Sequence, residues 1–179
     1  MDKEVKLIEG CLAGKRKAQS ELYTRFAPML YGVCLRYASS RFEAQDMLQE
    51  GFIKIFTALS SYESKGSFEG WMKRIVINNA LNNIRSKSKQ PLFTDFSEVE
   101  NLPDAPSGDE EIVQPPDKET MLRLVQELPQ GYRMVFNLYV FEDYSHKDIA
   151  EMAGISENTS KTQLMRARNL LQKKLSELR

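Results

Sequence analysis

The stretch from Pro91 to Asp117 constrains this chain more than any other segment. Its 27 residues hold no lysine or arginine, eight aspartates or glutamates, and five of the chain's seven prolines: Pro91, Pro103, Pro106, Pro115 and Pro116. Proline removes a backbone donor and fixes φ, and the unopposed carboxylates repel one another, so the segment reads as an extended acidic linker. It divides the chain into two small lobes, residues 1–90 and 118–179, each able to bury only a modest core. Net charge is zero over all 179 residues, but it is +6 before the linker, −8 within it and +2 after it. The carboxylates either form a plain solvated spacer or occupy a channel built for nucleic acid.

On either side of the linker the apolar residues recur at helical spacing. Leu22, Phe26, Met29, Leu30, Val33 and Tyr37 form one such run, and Ala44, Met47, Leu48, Gly51 and Ile55 another. Strand alternation and internal repeats are missing, so the chain is expected to be all-α, with two small helical domains. No apolar run approaches the roughly 20 residues that span a bilayer, and Met1 to Gly10 lacks the pattern of a secretory signal. A cytoplasmic protein without membrane insertion is expected. Cys11 and Cys34 are too few for a disulfide framework and read as reduced core residues. With His146 as the only histidine, a metal site or a Ser-His-Asp arrangement has little to build on. There is no phosphate-cradling glycine loop either. We expect no catalytic residues, no cofactor and no small-molecule substrate.

The carboxy-terminal lobe carries a helix-turn-helix pattern. Ser145 can cap a first helix, with Asp148 in the capping-box position. Gly154 allows the left-handed turn that ends it, and Ser156 caps a second helix. Leu164, Ala167, Leu171 and Leu175 form the buried stripe of that second helix. Lys161, Thr162, Gln163, Arg166 and Arg168 fall largely outside the stripe, as a surface that could read a groove. Between Asn158 and Ser176 five basic residues, Lys161, Arg166, Arg168, Lys173 and Lys174, meet no acidic one; phosphate affinity should concentrate there. His146, in the first turn of the scaffold helix, reads as surface.

In the amino-terminal lobe, residues 71–85 sort into two sectors at 100° per residue. Met72, Val76, Ile77, Ala80 and Ile84 form a core face. Trp71, Arg74, Asn78, Asn82 and Arg85 share another sector about 80° wide. A ring, carboxamides and guanidiniums are groups that stack on bases and bond their edges. Upstream, the glycine-broken loop from Tyr62 to Gly70, including Lys65, Ser67 and Phe68, could receive a base turned out of the stack, or simply join two helices. A further helix carries Glu43, Asp46, Glu50 and Lys54 beside Gln45 and Gln49. Its acidic stripe reads either as a solvated face or as a docking surface, and as a surface it suits a protein partner better than DNA.

Taken together, these residues resemble the extracytoplasmic-function group of the sigma-70 family, the small two-domain sigma factors of bacteria. The amino-terminal marks are Ala44-Gln-Asp-Met-Leu-Gln-Glu-Gly-Phe-Ile-Lys-Ile-Phe, then Phe68-Glu-Gly-Trp-Met-Lys-Arg-Ile, then Asn78, Asn82 and Arg85. The carboxy-terminal marks are Leu128-Pro, Arg133-Met-Val-Phe, Asp148-Ile-Ala, Gly154-Ile-Ser-Glu-Asn-Thr and Arg166-Ala-Arg. The resemblance implies that the chain binds core RNA polymerase and directs initiation at promoter DNA, under the control of an anti-sigma factor. By position, Gln45, Asp46, Gln49 and Glu50 would dock on polymerase. Lys65, Ser67, Phe68, Trp71, Arg74, Asn78, Asn82 and Arg85 would read and hold open the minus-ten element. Asn158, Thr159, Lys161, Thr162, Gln163, Arg166 and Arg168 would enter the major groove at the minus-thirty-five element. The linker would run through the polymerase toward its active centre.

Two positions depart from the family's habit. Position 160 is Ser where an aliphatic more often packs against the scaffold helix, and Asn82 stands where Asp is common. Promoter elements about 25 base pairs apart lie roughly 80 Å from each other, and 27 extended residues reach at most about 90 Å, so the linker suffices when nearly stretched. Two other readings stay open on sequence alone: an operator-binding regulator with a sensing or dimerising amino-terminal lobe, and an all-α adaptor that never touches DNA.

Overall fold

The computed structural model describes residues 3–87 and 116–178. Among these residues it contains eight α-helices and one 3₁₀ turn, with no strand. The expected linker lies outside them, apart from Pro116 and Asp117. The chain divides into two compact units, Met1–Asn83 and Ile84–Arg179. None of the described helices is long and apolar enough to cross a membrane.

The first unit is built from α1 (Lys3–Leu12), α2 (Arg16–Tyr37), α3 (Arg41–Ala58), the 3₁₀ turn Leu59–Ser61 and α4 (Phe68–Lys87), whose last turn runs past the unit's end at Asn83. Ser40 starts α3 by accepting the Glu43 N–H at 3.1 Å, and the Glu43 carboxylate reaches back to the Ser39 N–H at 2.7 Å. Two otherwise orphaned backbone donors are thereby satisfied. Leu22, Leu30 and Val33 of α2, Met47 and Ile55 of α3, and Met72, Val76 and Ile77 of α4 are buried. Fully burying each such side chain contributes about 1.5–3 kcal/mol. Gly51 lets α3 and α4 approach closely: a Cβ there would stand 2.9 Å from Val76 Cγ2. Cys11 and Cys34 are free and buried, and burial pushes the Cys34 thiol up to about 12, which leaves it unreactive.

The second unit contains α5 (Lys118–Gln126), α6 (Gln130–Val140), α7 (His146–Ala153) and α8 (Glu157–Glu177). Asp117 caps α5 by accepting the N–H groups of Glu119 and Thr120, each at 2.9 Å, so it belongs to this helix rather than to a spacer. α6 is the central element; from Gly131 to Leu138 every residue is buried. Its Arg133 donates from Nη1 to the Gln126 carbonyl at 2.7 Å, satisfying an acceptor at the end of α5. The helix-turn-helix caps form as the sequence implies. Ser145 and Asp148 make a reciprocal capping box, Gly154 closes α7 at φ 68°, and Ser156 accepts the Thr159 N–H at the start of α8.

Candidate nucleic-acid interface

In α8 the buried stripe is Ser160, Gln163, Leu164, Ala167 and Leu171, with Leu175 half-buried. The centre of the opposite ridge is therefore Asn158, Thr162, Met165 and Asn169, flanked by Lys161 and Arg168 on one side and by Thr159 and Arg166 on the other. Asn158, Lys161 and Arg168 are exposed, and Thr159, Thr162 and Arg166 are partly so. Gln163 needs correcting: it is 5% exposed and lies on the stripe that faces the unit's interior, out of reach of a groove. Its polar type suggested the outer face, but its position three residues after Ser160 and four before Ala167 places it inside.

Met165, 55% exposed, was missed. It stands about 40° from Lys161 around the helix axis, a relation the sequence already contained. Its apolar tip suits the methyl group of a thymine edge.

The basic set is also smaller than the sequence suggests. Lys174 Nζ donates to Glu127 Oε2 at 2.6 Å, and that bond holds the Glu127 carboxyl below its usual range. Arg168 sits with its guanidinium carbon 5.8 Å from the Tyr139 ring centroid. Nor is His146 plain surface: it is half-buried, and its Nδ1 lies 2.9 Å from the hydroxyl of Ser160.

On α4, Arg74, Asn78, Asn82 and Arg85 are exposed and Trp71 is half-buried. Met72, Val76, Ile77, Ala80 and Ile84 are all buried. The asparagines come in adjacent pairs whose members point different ways. Asn78 and Asn82 face outward. Asn79 Nδ2 donates to Glu50 Oε2 at 3.1 Å and Asn83 Nδ2 to the same oxygen at 2.5 Å, while Lys54 Nζ donates to Asn79 Oδ1.

The loop before α4 departs from its expected role at one residue. Phe68 is 1% exposed and is a core ring, edge-on to Phe26 at 5.7 Å and stacked on Trp71 at 5.6 Å and 14°. It cannot receive a base in this arrangement; it supports the face of Trp71 instead, together with Tyr62 at 5.3 Å. Ser67 caps α4, its Oγ accepting the Gly70 N–H at 3.0 Å. Its hydroxyl proton remains available. Lys65 is fully solvent-facing and pairs with Glu63 at 2.6 Å, a surface ion pair worth less than about 1 kcal/mol.

On α3, Gln45, Asp46, Gln49 and Glu50 are all exposed. The same face carries Phe42, 74% exposed, and the exposed Ile53, neither of which the charge pattern flagged. Gln45 and Gln49 border a groove between α2 and α3 with Tyr23, Pro28 and Tyr31. Glu50 is not a free docking carboxylate, because one of its oxygens holds α4 through Asn79 and Asn83.

Comparison with known proteins finds family matches in both parts of the chain. Residues 22–90 match the Sigma-70 region 2 family and residues 118–171 match Sigma-70, region 4. The RNA polymerase sigma-H factor of Pseudomonas aeruginosa is 28% identical over 185 residues, covering 99% of this chain and 96% of that protein. The ECF RNA polymerase sigma-E factor of Haemophilus influenzae is 27% identical, covering 96% of this chain and 95% of the relative. Two solved structures share the fold. The sigma factor RpoE of Bartonella quintana, in complex with the anti-sigma factor NepR, gives a TM-score of 0.56 at 20% identity over 88% of this chain and 96% of that one. CnrH, in complex with the cytosolic domain of CnrY, gives 0.53 at 19% identity over 98% of this chain and 99% of that one.

Proposed function

We infer how this chain acts from its family: it belongs to the sigma-70 family of bacterial RNA polymerase sigma factors, in the extracytoplasmic-function group. It is an alternative sigma factor that binds core RNA polymerase and directs promoter-specific initiation. The observation that carries this reading is the presence, in one chain, of two separate surfaces suited to DNA. One is the outward face of α4, with Arg74, Asn78, Asn82 and Arg85 beside the supported Trp71. The other is the ridge of α8. An operator-binding regulator needs only the second.

In this reading α4 and the loop carrying Lys65 and Ser67 read and hold open the minus-ten element. Asn158, Thr159, Lys161, Thr162, Met165, Arg166 and Arg168 meet the minus-thirty-five element. Gln45, Asp46, Gln49 and the apolar Phe42 and Ile53 dock on polymerase. In this proposal residues 1–90 act as melting lobe, 91–116 as tether and 117–179 as groove-reading lobe, with the acidic tether running toward the active centre. No chemical step is assigned to the chain, and it works in the cytoplasm. One fold neighbour was solved with an anti-sigma factor and another with the cytosolic domain of CnrY, and we propose control by an anti-sigma partner here.

Separating the faces by substitution tests the assignment. Asp46→Lys with Gln49→Lys should reduce capture by core polymerase first. Lys161→Ala or Arg166→Ala should leave capture intact and weaken promoter use. The reverse pattern would mean that the surfaces are assigned wrongly. Asp46 and Gln49 serve better than Glu50, whose loss would also release α4.

A further inference from the structure

The crossing of α7 and α8 is held by a polar contact where the family tends to use an aliphatic one. Ser160 has no exposed surface, and its hydroxyl meets His146 Nδ1 at 2.9 Å. The imidazole also stacks on Tyr139 of α6, with centroids 4.6 Å apart and planes at 23°. Tyr139 in turn lies beneath the Arg168 guanidinium. One side chain on α7 therefore engages both α6 and α8, at a point between Thr159 and Lys161 of the groove-reading ridge.

We propose that His146 is a positioning residue for the groove-reading helix, fixing the rotation and slide of α8 through Ser160 and making its grip on DNA depend on proton concentration. The proposal rests on the minus-thirty-five reading of α8. An apolar contact is non-directional and tolerates sliding, whereas a hydrogen bond weakens steeply off-axis. A hydroxyl can donate to a neutral imidazole or accept from a protonated one, so the contact survives in both charge states.

The charged surroundings set the direction of the pH effect. Glu157, Lys161 and Arg168 act on the ring from α8, Tyr139 faces it from α6, and Lys147 and Asp148 follow it on α7. Burial, then Lys161, hold the imidazole below its ordinary value of 6.5; Glu157 opposes them and Arg168 adds to them. Phosphates seated on Lys161 and Arg168 would cancel the cationic influence and raise it again. Binding then takes up a proton, and affinity rises as pH falls through the interval between the free and bound values.

The test uses holoenzyme assembled from the full chain and core polymerase, on promoter duplexes with an intact or a scrambled minus-thirty-five element, from about pH 5.5 to about pH 8. Ser160→Ala and His146→Phe should each weaken binding to the intact element roughly fivefold, the worth of one neutral hydrogen bond, and leave the scrambled duplex unaffected. His146→Asn, which keeps a hydrogen-bonding group without titrating, should stay within about twofold of the parent and lose the pH dependence. Equal losses on both duplexes, or no loss on either, would overturn the proposal. If Ser160→Ala and His146→Phe fail to fold, the comparison of parent with His146→Asn decides: identical pH profiles overturn it. A parent indifferent to scrambling would instead defeat the minus-thirty-five reading itself.

Discussion

Asn78 and Asn79 are neighbours in sequence with different work to do. Asn78 leaves α4 on its open face, whereas Asn79 is buried between the Glu50 carboxylate and the Lys54 ammonium. Asn79→Ala should therefore destabilise the first unit by about 0.5–1.5 kcal/mol, since its hydrogen bonds to Glu50 and Lys54 are lost while those exposed partners can turn to water, as read by denaturant unfolding. Asn78→Ala should leave stability within about 0.5 kcal/mol and slow promoter opening, followed by a fluorescent base analogue in the minus-ten element. Equal stability losses would contradict the two-faced account of α4. Helical angle alone sorted the outward asparagines correctly. The reading failed at Phe68 and Gln163, where residue type was followed instead of position: an aromatic in a polar loop suggested display, and a carboxamide among cations suggested a groove contact. Phe68 is drawn inward by Phe26, 42 positions earlier in the chain, which no local pattern reveals.

At the scale of elements, what was legible was local. Each helix start of the carboxy-terminal motif is determined within four residues, so Ser145, Asp148, Gly154 and Ser156 could be placed before any fold was known. Contacts between elements were not legible. The Glu50 links to Asn79 and Asn83 span 29 and 33 residues, and the His146 link to Ser160 spans 14. Hydrogen bonds of both kinds, local caps and one long-range pair, also set the acid response of the second unit. Asp148 is held below its ordinary 3.8 by the Ser145 hydroxyl, Asp117 below 3.8 by the Thr120 N–H, and Glu127 below 4.5 by Lys174. A carboxyl lowered in the folded state stabilises it above the unfolded value and loses that contribution as pH falls through the folded one. His146, also lowered, acts in the same sense: below 6.5 the unfolded chain takes up the proton more readily. Protection of the α7 amides, their exchange rate taken relative to the intrinsic one, should thus fall on acidification below about pH 6.5, and again below about pH 4.5; protection that stays constant across this range would refute this. In the first unit, Gly51→Ala should force α3 and α4 apart and lower the melting midpoint of the full chain, because a Cβ meets Val76 Cγ2 at 2.9 Å. An unchanged midpoint would mean that Val76 simply turns aside.

For the molecule as a whole, composition was the informative signal. A proline-rich tract without a single cation, between two segments of net positive charge, is the ground on which we propose a tether, without reference to any fold. The count of available cations sets the electrostatics of its second lobe. With Lys174 committed to Glu127, Lys161, Arg166, Arg168 and Lys173 remain, and binding of that lobe to promoter duplex should lose affinity with a slope near −3.6 in log affinity against log salt, rather than the roughly −4.5 of five contacts. A flat response would favour an adaptor that never touches DNA. The central claim is that this polypeptide turns core polymerase into a promoter-selective enzyme. Run-off transcription with purified core enzyme, on a template library carrying candidate two-part promoters, tests it most directly. The account predicts discrete transcripts that depend on both promoter elements and vanish without the protein; core polymerase that neither retains this chain nor initiates differently in its presence would contradict it.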